Sequence, residues 1–155
     1  MDRTREEFYN VVDVNLWGTF NVTKAFLSQC VKSQSYAIVN IGSIYGKVSS
    51  DKRIYGDSGR NNSEIYSMTK AGVLALTRHV ATHYGHLDLR CNSVSPGGIY
   101  RAQTMDFVNA YERKVPMHKM ADTVDIVGVV AFLLSDAASY VNGQDIAVDG
   151  GFTAW

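Results

Sequence analysis

Tyr36-Ala-Ile-Val-Asn-Ile-Gly-Ser43 is the stretch on which the fold turns. Its first six residues are a short, largely apolar run without strict alternation, and Gly42 ends it. Such a run fits a strand covered on both faces, as in a parallel sheet. Downstream, Ser63 is placed to cap a long helix to about Tyr84, with Glu64 in its first turn. Leu89 to Val94 follows as a second strand, closed by Ser95-Pro-Gly-Gly98. Gln144 to Val148 reads as a third, followed by Gly150-Gly151. Between these two lies an irregular segment containing Tyr and Met, and then Asp122-Thr-Val-Asp125, a capping-box pattern opening a helix over Ile126–Leu134. Upstream, Thr4 to about Asp13 predicts a helix with Phe8, Val11 and Val12 as its apolar stripe. A second helix is expected from about Asn15 to Lys32, carrying Leu16, Phe20, Ala25, Phe26 and Leu27. Gly46 to Asn62 is polar and long for a connection in a compact domain. Strand–helix alternation predicts the α/β class with a parallel sheet and flanking helices. Ligands in such sheets bind beyond the carboxyl ends of the strands, here at Gly42-Ser43 and Pro96-Gly97-Gly98.

Composition narrows the function classes. The 155 residues are a one-domain length, 46% hydrophobic and 19% charged, which is enough apolar material for a core. Fifteen basic residues balance fifteen acidic ones, so no global field points to nucleic acid or an anionic membrane. The first residues, MDRTREEF, contain no signal-peptide apolar region, and Ile126–Leu134 is too short to span a bilayer. The sequons at Asn21 and Asn61 therefore carry no weight, and a cytoplasmic protein is expected. Cys30 and Cys91 match no metal or redox spacing and are expected as buried, reduced thiols. His79, His83 and His86 are spaced i, i+4 and i+7, but no Asp or Glu completes a ligand set. An exposed helix face is expected there, and no metal.

Tyr66-Ser-Met-Thr-Lys70 places a phenol and an ammonium on one side of a helix. A phenol is a poor acid or base at neutral pH, and a nearby cation favours its ionised form, tuning it for proton transfer. By itself the pair also fits a surface cation lying over an aromatic ring. Ser43, at the end of the first strand, can project a hydroxyl towards a substrate oxygen, or be an ordinary turn residue. Asn15 falls at the expected junction of the first two helices, as a break or cap, or as the anchor of a water linking Lys70 to solvent. Pro96-Gly97-Gly98-Ile99 is either a simple turn or a place where the backbone approaches a flat ring, with Ile99 offering main-chain groups to a carboxamide.

Taken in order, Val14-Asn-Leu-Trp-Gly18, Val39-Asn-Ile-Gly-Ser43, Tyr66-Ser-Met-Thr-Lys70, Asn92-Ser-Val-Ser-Pro-Gly-Gly98 and Val148-Asp-Gly-Gly151 resemble the short-chain dehydrogenase/reductase family, in its small single-domain branch. The resemblance covers essentially the whole chain. It implies Tyr66 as general acid/base, Lys70 as the cation that lowers its pKa and holds the nicotinamide ribose, Ser43 as the group orienting the carbonyl or alcohol, and Asn15 as keeper of the proton relay. It implies NAD or NADP, with Pro96, Gly97, Gly98 and Ile99 beside the nicotinamide. It also implies a small alcohol or carbonyl substrate, and homo-oligomers formed through helices 15–32 and 63–84.

The departures matter as much. The family's Gly-x-x-x-Gly-x-Gly turn, which holds a pyrophosphate at a helix N-terminus, has no counterpart: Gly42-Ser-Ile-Tyr-Gly46 follows the wrong strand and lacks the last glycine. The Asn-Ala-Gly strand and the residue that separates NAD from NADP are missing too. Residues 1–155 are thus expected to form a single partial domain, the C-terminal part of a Rossmann-like parallel sheet with flanking helices, the N-terminal nucleotide-binding strands being absent and Met1 falling mid-fold. The Ser43–Tyr66 spacing exceeds the family's by roughly ten residues, and Arg101 replaces a common threonine. The extra stretch, with Lys47, Lys52, Arg53 and Arg60 against Asp51 and Asp57, would overhang the substrate mouth or be a solvated loop. Ser43–Gly46 and Asp149–Trp155 resemble reductases of surface-glycan and flagellin sugar modification. The reading is an oxidoreductase acting on a CH–OH group or its carbonyl, inactive as this chain alone. Its rivals are a non-catalytic remnant or dimerisation module, and a nucleotide-sugar epimerase or dehydratase. The ending after Val148-Asp-Gly-Gly151 disfavours the last, because those extended relatives carry a further substrate domain.

Overall fold

A computed structural model describes residues 2–31, 34–58 and 61–155. Strands β1 (Tyr36–Ile41), β2 (Leu89–Pro96) and β3 (Asp145–Val148) lie in that order in one parallel sheet. Tyr36 stands opposite Leu89, Ile41 opposite Val94, and Pro96 opposite Val148. Gly42 N–H donates to the Val94 carbonyl at 2.7 Å, and Gly97 N–H to that of Val148 at 3.0 Å. The carboxyl ends of the three strands are therefore level.

The helices are α1 (Arg5–Val12), α2 (Gly18–Leu27), α3 (Glu64–Tyr84), α4 (Met105–Glu112) and α5 (Thr123–Leu134). Val80 and Ala81 of α3 pack with Leu89 and Cys91 of β2 and with Tyr36 and Ile38 of β1. On the other face, Val39, Val94, Ile146 and Val148 meet Ile126, Val129, Val130 and Leu133 of α5. Both sheet faces are covered, as the apolar strands require. Ser63 caps α3, its hydroxyl oxygen accepting the Ile65 N–H at 3.2 Å. Asp122 and Asp125 form the expected capping box, and α5 begins at Thr123, three residues before Ile126.

Several expectations need correction. No break separates the first two helices, because the backbone stays right-handed helical through Val12, Trp17 and Gly18. An extra residue is absorbed instead as a π turn over Asp13–Trp17, with Asn15 inside it. The helical run ends at Leu27, where Ser28 turns its hydroxyl onto the Ala25 carbonyl at 2.8 Å. Lys32, its expected end, lies outside the described residues. His86 is not on the helix of His79 and His83: α3 stops at Tyr84, and a 3-10 turn spans Gly85–Leu87. Cys91 is fully buried, whereas Cys30 is only half-buried. The segment expected to be irregular contains α4, whose Val108 and Tyr111 are buried three residues apart. Among the described residues, no helix is long and apolar enough to cross a membrane.

The stretch after Gly46 is also more than a solvated loop. A 3-10 turn over Lys52–Tyr55 drives Ile54, 1% exposed, into a cluster with Val108, Tyr111, Val115 and Met120. Ile54→Ala should thus destabilise the chain by about 2–5 kcal/mol in urea unfolding, while Lys52→Ala should stay within roughly 0.5 kcal/mol. Equal, small effects would return the stretch to a solvated loop.

Candidate active site

Ser43, Tyr66, Pro96, Gly97, Gly98 and Ile99 all line one cleft of about 230 Å³ above the level strand ends. Ser43 is buried and caps the 3-10 turn Ile44–Gly46, its oxygen accepting the Tyr45 N–H at 3.1 Å. Its own hydroxyl proton remains available to donate.

Tyr66 and Lys70 lie one turn apart at the start of α3. Lys70 Nζ is 5.7 Å from the centre of the Tyr66 ring and donates to the Ile41 carbonyl at 2.8 Å. Ile41 ends β1, so the ammonium is pinned to the strand end that carries Ser43. Half-burial pushes this ammonium below the ordinary lysine value. Asn15 does not line the cleft. Its amide donates to Thr69 Oγ1 at 3.0 Å, and that hydroxyl donates to the Tyr66 carbonyl at 2.8 Å. The π turn is thereby joined to the turn of α3 between Tyr66 and Lys70.

The glycine loop already approaches a flat ring within the protein. A Cβ on Gly98 would lie 2.6 Å from Tyr111 Cζ and 3.0 Å from Met120 Cε. The Tyr111 hydroxyl accepts the Gly98 N–H. Burial, aided by Asp149 and Tyr55 and opposed by this hydrogen bond, pushes the Tyr111 phenol up to about 12. The Ile99 carbonyl accepts from Gln103 Nε2 at 2.9 Å, and Gly98 and Tyr100 pair with Ala121.

The same cleft is lined by Tyr45, Tyr55, Gln103, Phe107 and Tyr111, which sequence reasoning does not single out. Phe107, Val108 and Tyr111 at helical spacing are a legible signal for α4; Tyr45 and Tyr55 sit in turns without a period. Burial, and then the neighbouring Tyr55, push the Tyr45 phenol well above its ordinary value. Of the cleft's tyrosines, Tyr66 is the one with an ammonium beside its ring.

Several of the insertion's charges are held in ion pairs. Lys47 is 3.1 Å from Asp145, whose other carboxylate oxygen accepts from Ser93 and Ser95 at 2.8 and 2.7 Å. This corrects the expectation that Lys47 overhangs the mouth: a carboxylate this enclosed needs a countercharge. Asp51 holds Arg53 at 2.8 Å and also Lys114. Arg60 lies outside the described residues.

A pyrophosphate cradle is not found in Gly42–Gly46. A Cβ at Gly46 would sit 2.9 Å from the Lys70 carbonyl carbon, so this glycine serves close packing on α3 rather than open backbone. Lys70 and the Pro96–Ile99 loop are the residues that would hold the nicotinamide end of a dinucleotide, whereas Gly42–Gly46 offers its phosphates no cradle.

Gly98→Ala and Tyr111→Ala should each destabilise the chain, and in combination should be non-additive by about 0.5–3 kcal/mol. Additive losses would mean that the Tyr111 ring is not what Gly98 accommodates.

A family model described as Enoyl-(Acyl carrier protein) reductase matches residues 1–153. The NADH-dependent L-xylulose reductase of Ambrosiozyma monospora is 34% identical, aligned over 94% of this chain and 54% of its own. The (3R)-3-hydroxyacyl-CoA dehydrogenase of Mus musculus is 39% identical, over 96% of this chain and 55% of its own. The chain thus spans about half the length of these curated relatives. A crystal structure of a short chain dehydrogenase from Leptospira borgpetersenii with bound NAD+ superposes with a TM-score of 0.91 at 44% identity, covering 98% of this chain and 58% of that one. With its three parallel strands, Tyr66 and Lys70 on the crossover helix and Ser43 at the strand end, the chain belongs to the short-chain dehydrogenase/reductase family.

Proposed function

We propose that these 155 residues form a single partial domain, the catalytic portion of an NAD(P)-dependent oxidoreductase acting on a CH–OH group or its carbonyl. The observation that carries this reading is the cleft in which Ser43, Tyr66 and the Pro96–Ile99 loop meet, with the Lys70 ammonium fixed at the same strand end. The nicotinamide, when bound, would supply the hydride acceptor or donor. The Tyr66 hydroxyl gives a proton to the nascent alkoxide, and in the reverse direction its phenolate takes the proton from an alcohol. Lys70 holds positive charge beside that phenol. Ser43 directs its hydroxyl proton at the substrate oxygen. Asn15, bonded to Thr69, keeps α3 in place beneath Tyr66 and Lys70 and supports the proton relay. Pro96, Gly97, Gly98 and Ile99 form the wall beside the nicotinamide.

A sugar or surface-glycan setting is supported by the wording of Ser43–Gly46 and Asp149–Trp155, and we place the protein in the cytoplasm. Homo-oligomers are supported by the apolar outer face of the first helices, where Trp17 and Phe20 stack at 5.9 Å while 56% and 46% exposed. That same face favours a second reading, in which the chain is a dimerisation module without turnover. The chain alone is expected to be inactive, because among the described residues Gly42–Gly46, packed against α3, forms no pyrophosphate cradle.

The two readings separate in a chimaera that places the nucleotide-binding portion of the Leptospira relative before this chain. Oxidation of NADH should be followed with panels of ketoses and 3-oxoacyl thioesters. Turnover should appear and fall by about 10²–10⁴ in Tyr66→Phe. Lys70→Met should lose activity as well, and its pH–rate profile should move to higher pH. Activity of Tyr66→Phe within about tenfold of the parent would remove Tyr66 from the mechanism. A well-folded chimaera idle on every substrate would favour the dimerisation module.

A further inference from the structure

Beside the cleft lies a second, larger groove of about 820 Å³, between the 52–58 segment and α4. Tyr55, Gln103 and Phe107 line both, so the groove continues outward from Ser43 and Tyr66. We propose that it is a subsite for the distal part of an elongated substrate, and that this part is an uncharged, multiply hydroxylated unit: a sugar ring. The proposal rests on the oxidoreductase reading only in calling the occupant part of a substrate.

The chemistry of the walls selects the occupant. Asp106 and Asn109 of α4 and Arg113 at its C-cap border the groove, at positions i, i+3 and i+7. Among the described residues these three side chains, and that of Asp57 across the groove, are engaged in no hydrogen bond or ion pair. Carboxylates accept, a guanidinium donates and an amide does both, so together they match the mixed donors and acceptors of neighbouring hydroxyls. Two arginines and two aspartates line the groove, and Arg53 is already held by Asp51. The lining thus carries no net positive charge with which to select a phosphate or carboxylate. At the boundary with the cleft, Tyr55 and Phe107 add aromatic rings for the C–H face of a sugar.

Two of the relatives name contrasting substrates, a ketose in the xylulose reductase and an acyl thioester in the hydroxyacyl-CoA dehydrogenase. An acyl chain lying here would strip water from Asp57, Asp106, Asn109 and Arg113 without returning a hydrogen bond, which is unfavourable. A polyol returns them. The walls therefore favour the sugar.

Saturation-transfer NMR on the 155-residue chain, without cofactor, reads the groove directly. Maltose, cellobiose and N,N′-diacetylchitobiose are the sugar probes, and a hydroxybutyryl thioester of N-acetylcysteamine is the acyl probe. At least one disaccharide should receive saturation, and its affinity should fall roughly tenfold in a variant combining Asp106→Ala and Asn109→Ala, both at exposed positions. The proposal is overturned if no disaccharide binds at millimolar concentration, if binding survives the double variant unchanged, or if the thioester alone loses binding in that variant. No turnover is involved, so such a failure leaves the roles of Tyr66 and Lys70 standing. Those are decided by the chimaera.

Discussion

Everything at the candidate site hangs from the parallel pairing of β1 with β2. Parallel strands need a long crossover, and here that crossover is α3. A helix that follows a strand and runs back along the sheet must begin at the strand's carboxyl end. Tyr66 and Lys70, in its first two turns, are therefore delivered to the edge where β1 ends in Gly42-Ser43. The bond from Gly42 N–H to the Val94 carbonyl keeps that edge level with the Pro96–Ile99 loop. Lys70 then closes the arrangement by donating to the Ile41 carbonyl. The juxtaposition of hydroxyl, phenol and ammonium follows from topology before any side chain is chosen.

A second layer tunes this frame. The loop after β2 can lie where it does because Gly98 has no Cβ to strike Tyr111, and the Tyr111 hydroxyl takes the loop's N–H in return. Tyr111 belongs to α4, whose Phe107 lines both the cleft and the outer groove. Ile54 locks the insertion onto the same helix. Insertion, α4 and glycine loop thus form one packed unit over the cleft, in which the shape of the cleft and the position of the loop are physically linked.

The parts legible in the sequence are those fixed by local rules. Period and capping locate all three strands, α3 and α5, and the order of the motifs identifies Ser43, Tyr66, Lys70 and the glycine loop as neighbours. What escapes is set by packing between distant segments. The π turn at Asp13–Trp17 leaves no signature in composition, so Asn15 reads as a helix break although the helix runs through it. Ile54 and Val48 are the two aliphatic residues of a polar stretch, and only Val108, Tyr111, Val115 and Met120 reveal why Ile54 is there. Lys47 reads as an unpaired surface charge, and only Asp145, far along the chain, reveals its partner.

The central proposal is that this chain supplies the nicotinamide and substrate side of a dinucleotide enzyme, its described residues forming no phosphate cradle at Gly42–Gly46. Affinity for a dinucleotide comes largely from charge-assisted hydrogen bonds to its phosphates, each of about 1.5–3 kcal/mol. Titration of the purified 155-residue chain with NADH, followed by calorimetry, tests the claim most directly. Binding at millimolar affinity or weaker is the predicted result. Micromolar binding by this chain alone would contradict the account and require a phosphate site elsewhere in these residues.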